Sequence, residues 1–133
     1  MSKHETWRTK EYWNKVGGTL VLEFLAIAGD RKRIGKRLID GVIIKSGPNR
    51  IAATNEVDLA GKDIIVVQTK GYRLGMYLMG QAFFSREIMK RYEPRSIETV
   101  AICAKGDDEM EALCRQFDIA VEVIPDPEKN VEG

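Results

Sequence analysis

The apolar positions fall into runs separated by polar, glycine- or proline-bearing stretches, and the period changes from run to run. "TLVLEFLAIAG" (19–29) is apolar except at Thr19 and Glu23. By pattern it suits a strand or a buried helix, and its glycine boundaries and limited length favour the strand. "RLIDGVIIK" (37–45), "DIIVVQT" (63–69), "SIETVAICAK" (96–105) and "IAVEVIP" (119–125) read as further strands. "SGPNR" (46–50) is turn chemistry, and residues 51–61 read as a strand edge or a loop. Helical spacing appears in residues 5–15, where Trp7, Tyr12 and Trp13 recur before Gly17-Gly18. It appears again over 73–91, rich in Leu, Met, Ala and Gln and closed by Pro94, and over 106–117, with acids in the first turn. The order helix, three strands, helix, strand, helix, strand predicts an α/β sandwich with helices covering a central sheet. One domain is expected over residues 1–125, with 126–133 a frayed tail.

Composition narrows this picture without changing it. A chain of 133 residues, 44% hydrophobic and 31% charged, is large enough to bury a core without a metal or disulfide. No apolar run reaches the ~18 residues of a membrane helix, and the first residues, with His4, Glu5 and Arg8, do not resemble a secretion signal. Cys103 and Cys114 lack metal-ligand spacing and sit in apolar contexts, which predicts buried free thiols and a reducing, cytoplasmic setting. The net charge of +1 hides a polarity: it is +6 over residues 1–50, +2 over 51–95 and −7 over 96–133. "DRKRIGKR" places Arg31, Lys32, Arg33, Lys36 and Arg37 together, suited either to a phosphate backbone or to a solvated hairpin tip.

Polar residues inside the apolar runs carry the candidate chemistry. Glu23, Asp40 and the pair Gln68 and Lys70 each interrupt a run that should be buried. A carboxylate in apolar surroundings is costly unless it is paired or coordinates a cation, so the interruptions ask for a shared partner. Two carboxylates and an amide carbonyl are oxygen donors of the kind Mg²⁺ prefers, with water and substrate phosphate completing the shell. Lys70 beside them suits stabilisation of developing negative charge or orientation of a water. In a strand Gln68 and Lys70 leave on the side of Ile64 and Val66.

An early carboxylate, an aspartate in an apolar strand, then an acid or amide, one residue and a lysine ending the next strand before a helix: this order resembles the PD-(D/E)xK nuclease superfamily. The resemblance spans about residues 5–105 and matches Asp40 to the strand aspartate, Gln68 to the acidic position of the (D/E)xK element, Lys70 to its lysine and Glu23 to the early acid. It implies a restriction-endonuclease-like three-layer α/β/α core with a mixed central sheet, in the order α-β-β-β-α-β-α-β. It also implies Mg²⁺- or Mn²⁺-dependent phosphodiester hydrolysis, with Asp40, Gln68 and Glu23 as metal ligands and Lys70 near the attacking water. Gln68 stands where an acid is usual, similar to some methylation-dependent restriction enzymes of the superfamily. The separation of 28 residues between Asp40 and Gln68 implies an insertion at about 46–61, and Glu23 lies on an expected strand where the family commonly uses the first helix.

After the lysine, Arg73, Tyr77, Gln81 and Ser85 recur every four residues and would share one helix face. Arg73, Tyr77 and Gln81 are expected at the nucleic acid in the nuclease reading; otherwise the segment is an ordinary amphipathic helix. Gly75 and Gly80 within it suggest close approach of another backbone. With a single histidine, His4, a histidine-centred triad is not expected, nor is a dinucleotide fingerprint present. The expectation is a metal-dependent endonuclease acting on nucleic acid, DNA first, as a homodimer or larger assembly because the domain offers little surface to grip a duplex. Two alternatives stand beside it: a catalytically degenerate module that binds nucleic acid or a protein, and an enzyme for a small phosphorylated metabolite.

Overall fold

The computed structural model describes residues 3–127, with side chains from Thr6 onward; the His4 side chain and residues 128–133 of the expected tail lie outside this range. The elements are α1 (Lys3–Val16), β1 (Thr19–Ile27), β2 (Arg37–Ile44), β3 (Arg50–Ala52), β4 (Asp63–Thr69), α2 (Met76–Met89), β5 (Ser96–Cys103), α3 (Asp108–Gln116) and β6 (Ile119–Val123). The strands form one mixed sheet in the order β3-β1-β2-β4-β5-β6. β1 and β4 each run antiparallel to β2, while β3 is parallel to β1 and β4, β5 and β6 are mutually parallel.

The apolar runs explain the layers. Ile64 and Val66 join one cluster with Phe24, Val42 and Met89, while Ile65 and Val67 join another with Tyr12, Leu20 and Ile102. β4 is therefore buried on both faces, which is why its run is continuous and does not alternate. α1 covers one face through Tyr12 and Trp13, and α2 and α3 cover the other. α1 comes so close to β2 that a Cβ on Gly41 would stand 2.9 Å from Thr9 Cγ2. Tyr92 fastens the far end of α2 to β1, with its ring edge-on to Phe24 at 5.4 Å and its hydroxyl donating to Ala26 O at 2.7 Å. Among the described residues no helix is long and apolar enough to cross a membrane.

Several local expectations shift. The segment 51–61 holds β3, which adds to the sheet edge beside β1, and a 3-10 turn at Thr54–Glu56. α2 begins at Met76, three residues later than expected, because Gly75 is its N-cap in extended geometry. Arg73 thereby leaves the helix and forms an isolated parallel bridge with Lys105. Gly75 needs no close neighbour, and a Cβ on Gly80 would meet nothing within 4 Å, so neither glycine marks a backbone approach inside this chain. α3 is shorter than 106–117 and is capped by Asp107, whose carboxylate accepts from Met110 N–H at 3.0 Å. The chain beyond β6 is tied down as far as Asp126, which pairs with Arg8. Cys103 and Cys114 are buried free thiols, and burial is the main cause pushing both pKa values up.

Candidate active site

The site forms where two neighbouring strands part. β2 and β4 pair from Ile44↔Ile64 to Gly41↔Val67, and there the ladder stops. The next N–H along β4 that faces β2, that of Thr69, donates to the Asp40 carboxylate instead, at 2.9 Å from Oδ2. A side chain has taken the place of a backbone partner, and it holds Asp40 against the peptide between Gln68 and Lys70.

The cause lies one strand further out. Between Leu22↔Gly41 and Phe24↔Ile39 the register faces Glu23 with Asp40, yet these two do not pair as Cα partners. Glu23 adopts φ +48°, a left-handed conformation that costs a non-glycine residue about 1–2 kcal/mol. Alternation slips by one residue there in both strands: Val21 and Phe24 share a core cluster, as do Ile39 and Val42. The kink turns Asp40 out of the regular pleat toward β4. It also exposes Glu23, so the expectation of a buried acid at that position does not hold.

Gln68 and Lys70 leave β4 on the α2 side, as alternation requires. Gln68 is 5% exposed and its Nε2 donates to Ser85 Oγ at 2.7 Å, which leaves the carbonyl Oε1 as the amide's remaining acceptor. Lys70 is half-buried, with its ammonium 5.4 Å from the centroid of the Tyr77 ring, an attraction that aims the cation without neutralising it. Lys70 N–H donates to Ile102 O at 2.9 Å, so β5 fixes the backbone beneath it. Beside these residues a cleft of about 450 Å³ opens between α2 and the start of β2, with Arg37, Gln68, Tyr77, Gln81 and Ser85 in its lining. Asp40 and Lys70 stand outside that lining. Gln81 Oε1 is buried with no hydrogen-bond partner, an acceptor ready for a donor.

Of the four expected site residues, Asp40 is held at the Thr69 N–H, between Gln68 and Lys70 in the chain; Gln68 lines the cleft while Asp40 and Lys70 stand outside it, and Glu23 lies across from Asp40 on the neighbouring strand. Tyr77, Gln81 and Ser85 share the helix face beside them, whereas Arg73 lies in the turn before the helix. Arg31, Lys32, Arg33, Lys36 and Arg37 are all exposed, in the tip between β1 and β2 and at the first residue of β2. Sequence reasoning missed Arg8. It is 2% exposed, pairs with Asp126, donates from Nε to Ile124 O at 2.8 Å, and lies 4.4 Å from the Trp7 ring centroid. A Cβ on Gly71 would stand 3.1 Å from its Nη1, so Arg8 props the turn that follows Lys70. Its position four residues before Tyr12, on the buried stripe of α1, was the available signal.

Among the described residues no group of three or more His, Cys, Asp or Glu is placed to hold a metal. Asp40 and the Gln68 carbonyl are hard oxygen donors, and a pair of such ligands completed by water and phosphate suits Mg²⁺, which retains much of its hydration. No family model matches the chain, and neither does a curated protein or a solved structure.

Proposed function

We propose that this chain is a metal-dependent nuclease with a restriction-endonuclease-like fold, hydrolysing phosphodiester bonds of nucleic acid, DNA first. The single observation that carries the reading is the hydrogen bond from Thr69 N–H to Asp40, which holds the acid beside the stretch of β4 that bears Gln68 and Lys70, where the β2–β4 ladder ends. The sheet order and the helix that follows Lys70 agree with it.

In this reading Asp40 and the Gln68 carbonyl would hold the cation, Mg²⁺ or Mn²⁺, and Glu23 would be a further ligand, direct or through water. A divalent cation bound there supplies Lewis acidity toward the phosphate and lowers the pKa of nearby water. Lys70, held over Tyr77, stabilises the negative charge that grows as the water oxygen bonds to phosphorus and the P–O bond to the leaving oxygen breaks. The attacking water gives up a proton to solvent, and the leaving oxygen takes one from it. The basic residues 31–37 track the phosphate backbone leading to the cleft, and Tyr77 and Gln81 face the nucleic acid from α2.

One observation favours the second reading, a module that keeps the fold and binds nucleic acid or a protein without cleaving. Gln68 supplies no charge to a cation, and its amide is already tied to Ser85. Incubation of the wild-type protein with plasmid, linear and single-stranded DNA, with Mg²⁺ or Mn²⁺ and with EDTA, separates the two. Metal-dependent strand scission lost in Lys70→Ala supports the nuclease; retained, salt-sensitive binding without scission of any substrate moves the binding module ahead.

A further inference from the structure

The β1–β2 hairpin outruns the sheet. β2 pairs with β4 only from Gly41 onward, whereas β1 and β2 remain paired as far as Ile27↔Arg37, so the end of the hairpin projects past β4 as a two-stranded ribbon. Its tip is built around one acid. Asp30 Oδ1 accepts the N–H groups of Lys32, Arg33 and Ile34, each at 2.9 Å, while Asp30 N–H donates to Ile34 O at 3.0 Å. Gly29 at φ +79° and Arg31 at φ +66° make the tight bend, and a Cβ on Gly29 would stand 2.8 Å from Lys36 N. The only acid of the tip is therefore engaged with backbone, and Arg31, Lys32, Arg33 and Lys36 project around it into solvent. Among these cations stands Ile34, 54% exposed.

An apolar side chain at the head of a preformed cationic ribbon contributes little to the stability of the free chain. Its setting matches that of the apolar wedges with which minor-groove proteins part base steps, while basic neighbours grip the flanking phosphates. Arg37, folded back over Gly35 with Nη1 donating to Lys36 O at 3.0 Å, also lines the α2 cleft, so the basic tip adjoins the mouth of that cleft. We propose that this tip is a wedge for duplex DNA: Ile34 enters the minor groove and separates a base step, Arg31, Lys32, Arg33 and Lys36 hold the phosphates on either side, and the bent duplex is led past Arg37 to the cleft. The proposal rests on the nuclease reading for its choice of nucleic acid and sharpens it to a deformable duplex. A single isoleucine ringed by a rigid, hydrogen-bonded loop offers too little apolar surface to anchor the chain in a lipid layer.

The test uses Lys70→Ala, in which binding is read without cleavage, on a duplex of roughly 30 base pairs carrying a central TA step, end dyes and a 2-aminopurine beside the step. The expected result is a rise in 2-aminopurine emission and a shortened end-to-end distance on binding. Adding Ile34→Ala removes both signals with less than about tenfold loss of affinity. Adding Arg31→Ala, Lys32→Ala and Arg33→Ala together lowers the slope of log affinity against log salt by about three. The proposal is overturned if Ile34→Ala leaves bending and emission intact, if no duplex is bound, or if vesicles of anionic lipid are bound in preference to DNA. Scission by the wild type without bending defeats the wedge alone, and bending without scission defeats the nuclease reading alone.

Discussion

The two ends of β4 carry acids and bases in similar number and treat them differently. At the entry end the Asp63 carboxylate is saturated: Arg95 grips both its oxygens, and Ser96 donates to Oδ1 at 2.7 Å. These partners, Arg95 first, hold its pKa down at about 2. At the exit end one buried acceptor keeps capacity in reserve. Asp40 accepts the Thr69 N–H, Gln68 uses its amide nitrogen on Ser85 and Lys70 leans on a ring, while the neighbouring Gln81 Oε1 is buried with no partner. A strand end whose charges satisfy one another closes a fold. At the other end a buried acceptor, Gln81 Oε1, stands without a donor, which suits one brought from outside the chain.

That contrast can be broken most sharply at Lys70. Lys70→Ala should lower the cleavage rate by about 10² to 10⁴-fold while the melting temperature stays within error, since the side chain is half-buried and rests on an exposed ring. An equal loss of stability and activity would make Lys70 structural. Next in size is Gln68→Leu, which leaves the Ser85 hydroxyl buried without its partner; denaturant unfolding should show a loss of about 1–3 kcal/mol and Mn²⁺ uptake should vanish. Gln68→Glu is its counterpart: the hydrogen bond reverses, with the Ser85 hydroxyl donating to the carboxylate, and the missing charge is added, so Mn²⁺ binding should tighten.

The pH limits follow from groups away from the site. Burial first, then the charges of Glu122 and Glu98, push the Tyr12 hydroxyl up to about 12 from 10. The folded state holds this proton more tightly than the unfolded state, so the stability it confers is complete below pH ~10 and is lost as pH rises toward ~12. Ultraviolet titration should find one tyrosine ionising last, and Tyr12→Phe should remove that step. The smallest effect is expected at Asp63→Asn. A lowered acid stabilises above its unfolded pKa of about 3.8 and loses that contribution as pH falls through about 2, so the variant should flatten the acid limb of unfolding slightly and leave Mn²⁺ binding unchanged.

Much of the architecture was legible because apolar runs record burial directly: the continuous run at 64–67 is covered on both faces, as such a run should be. Asp40, Gln68 and Lys70 were legible as interruptions, and strand alternation sets Gln68 and Lys70 on one side of β4. The kink at Glu23 was not, since a left-handed glutamate in an apolar strand leaves no compositional trace and its effect depends on the neighbouring strand. The start of α2 was misjudged because the residues at 73–75 are compatible with a helix, and the bridge from Arg73 to Lys105 that holds them in place is a long-range contact. Arg8 was passed over for the same reason: its partners, Ile124 and Asp126, lie at the other end of the chain.

The measurement that bears most directly on the exit end of β4 is a calorimetric titration of Mn²⁺ into the wild type and Asp40→Asn, each alone and with duplex DNA. The asparagine keeps an oxygen to accept Thr69 N–H and removes the carboxylate charge, and thermal unfolding of the variant beside the titration shows that it is folded. The account predicts Mn²⁺ binding by the wild type, strengthened by DNA, and none by the folded variant. Equal binding by the two proteins, or none by the wild type even with DNA present, would contradict it.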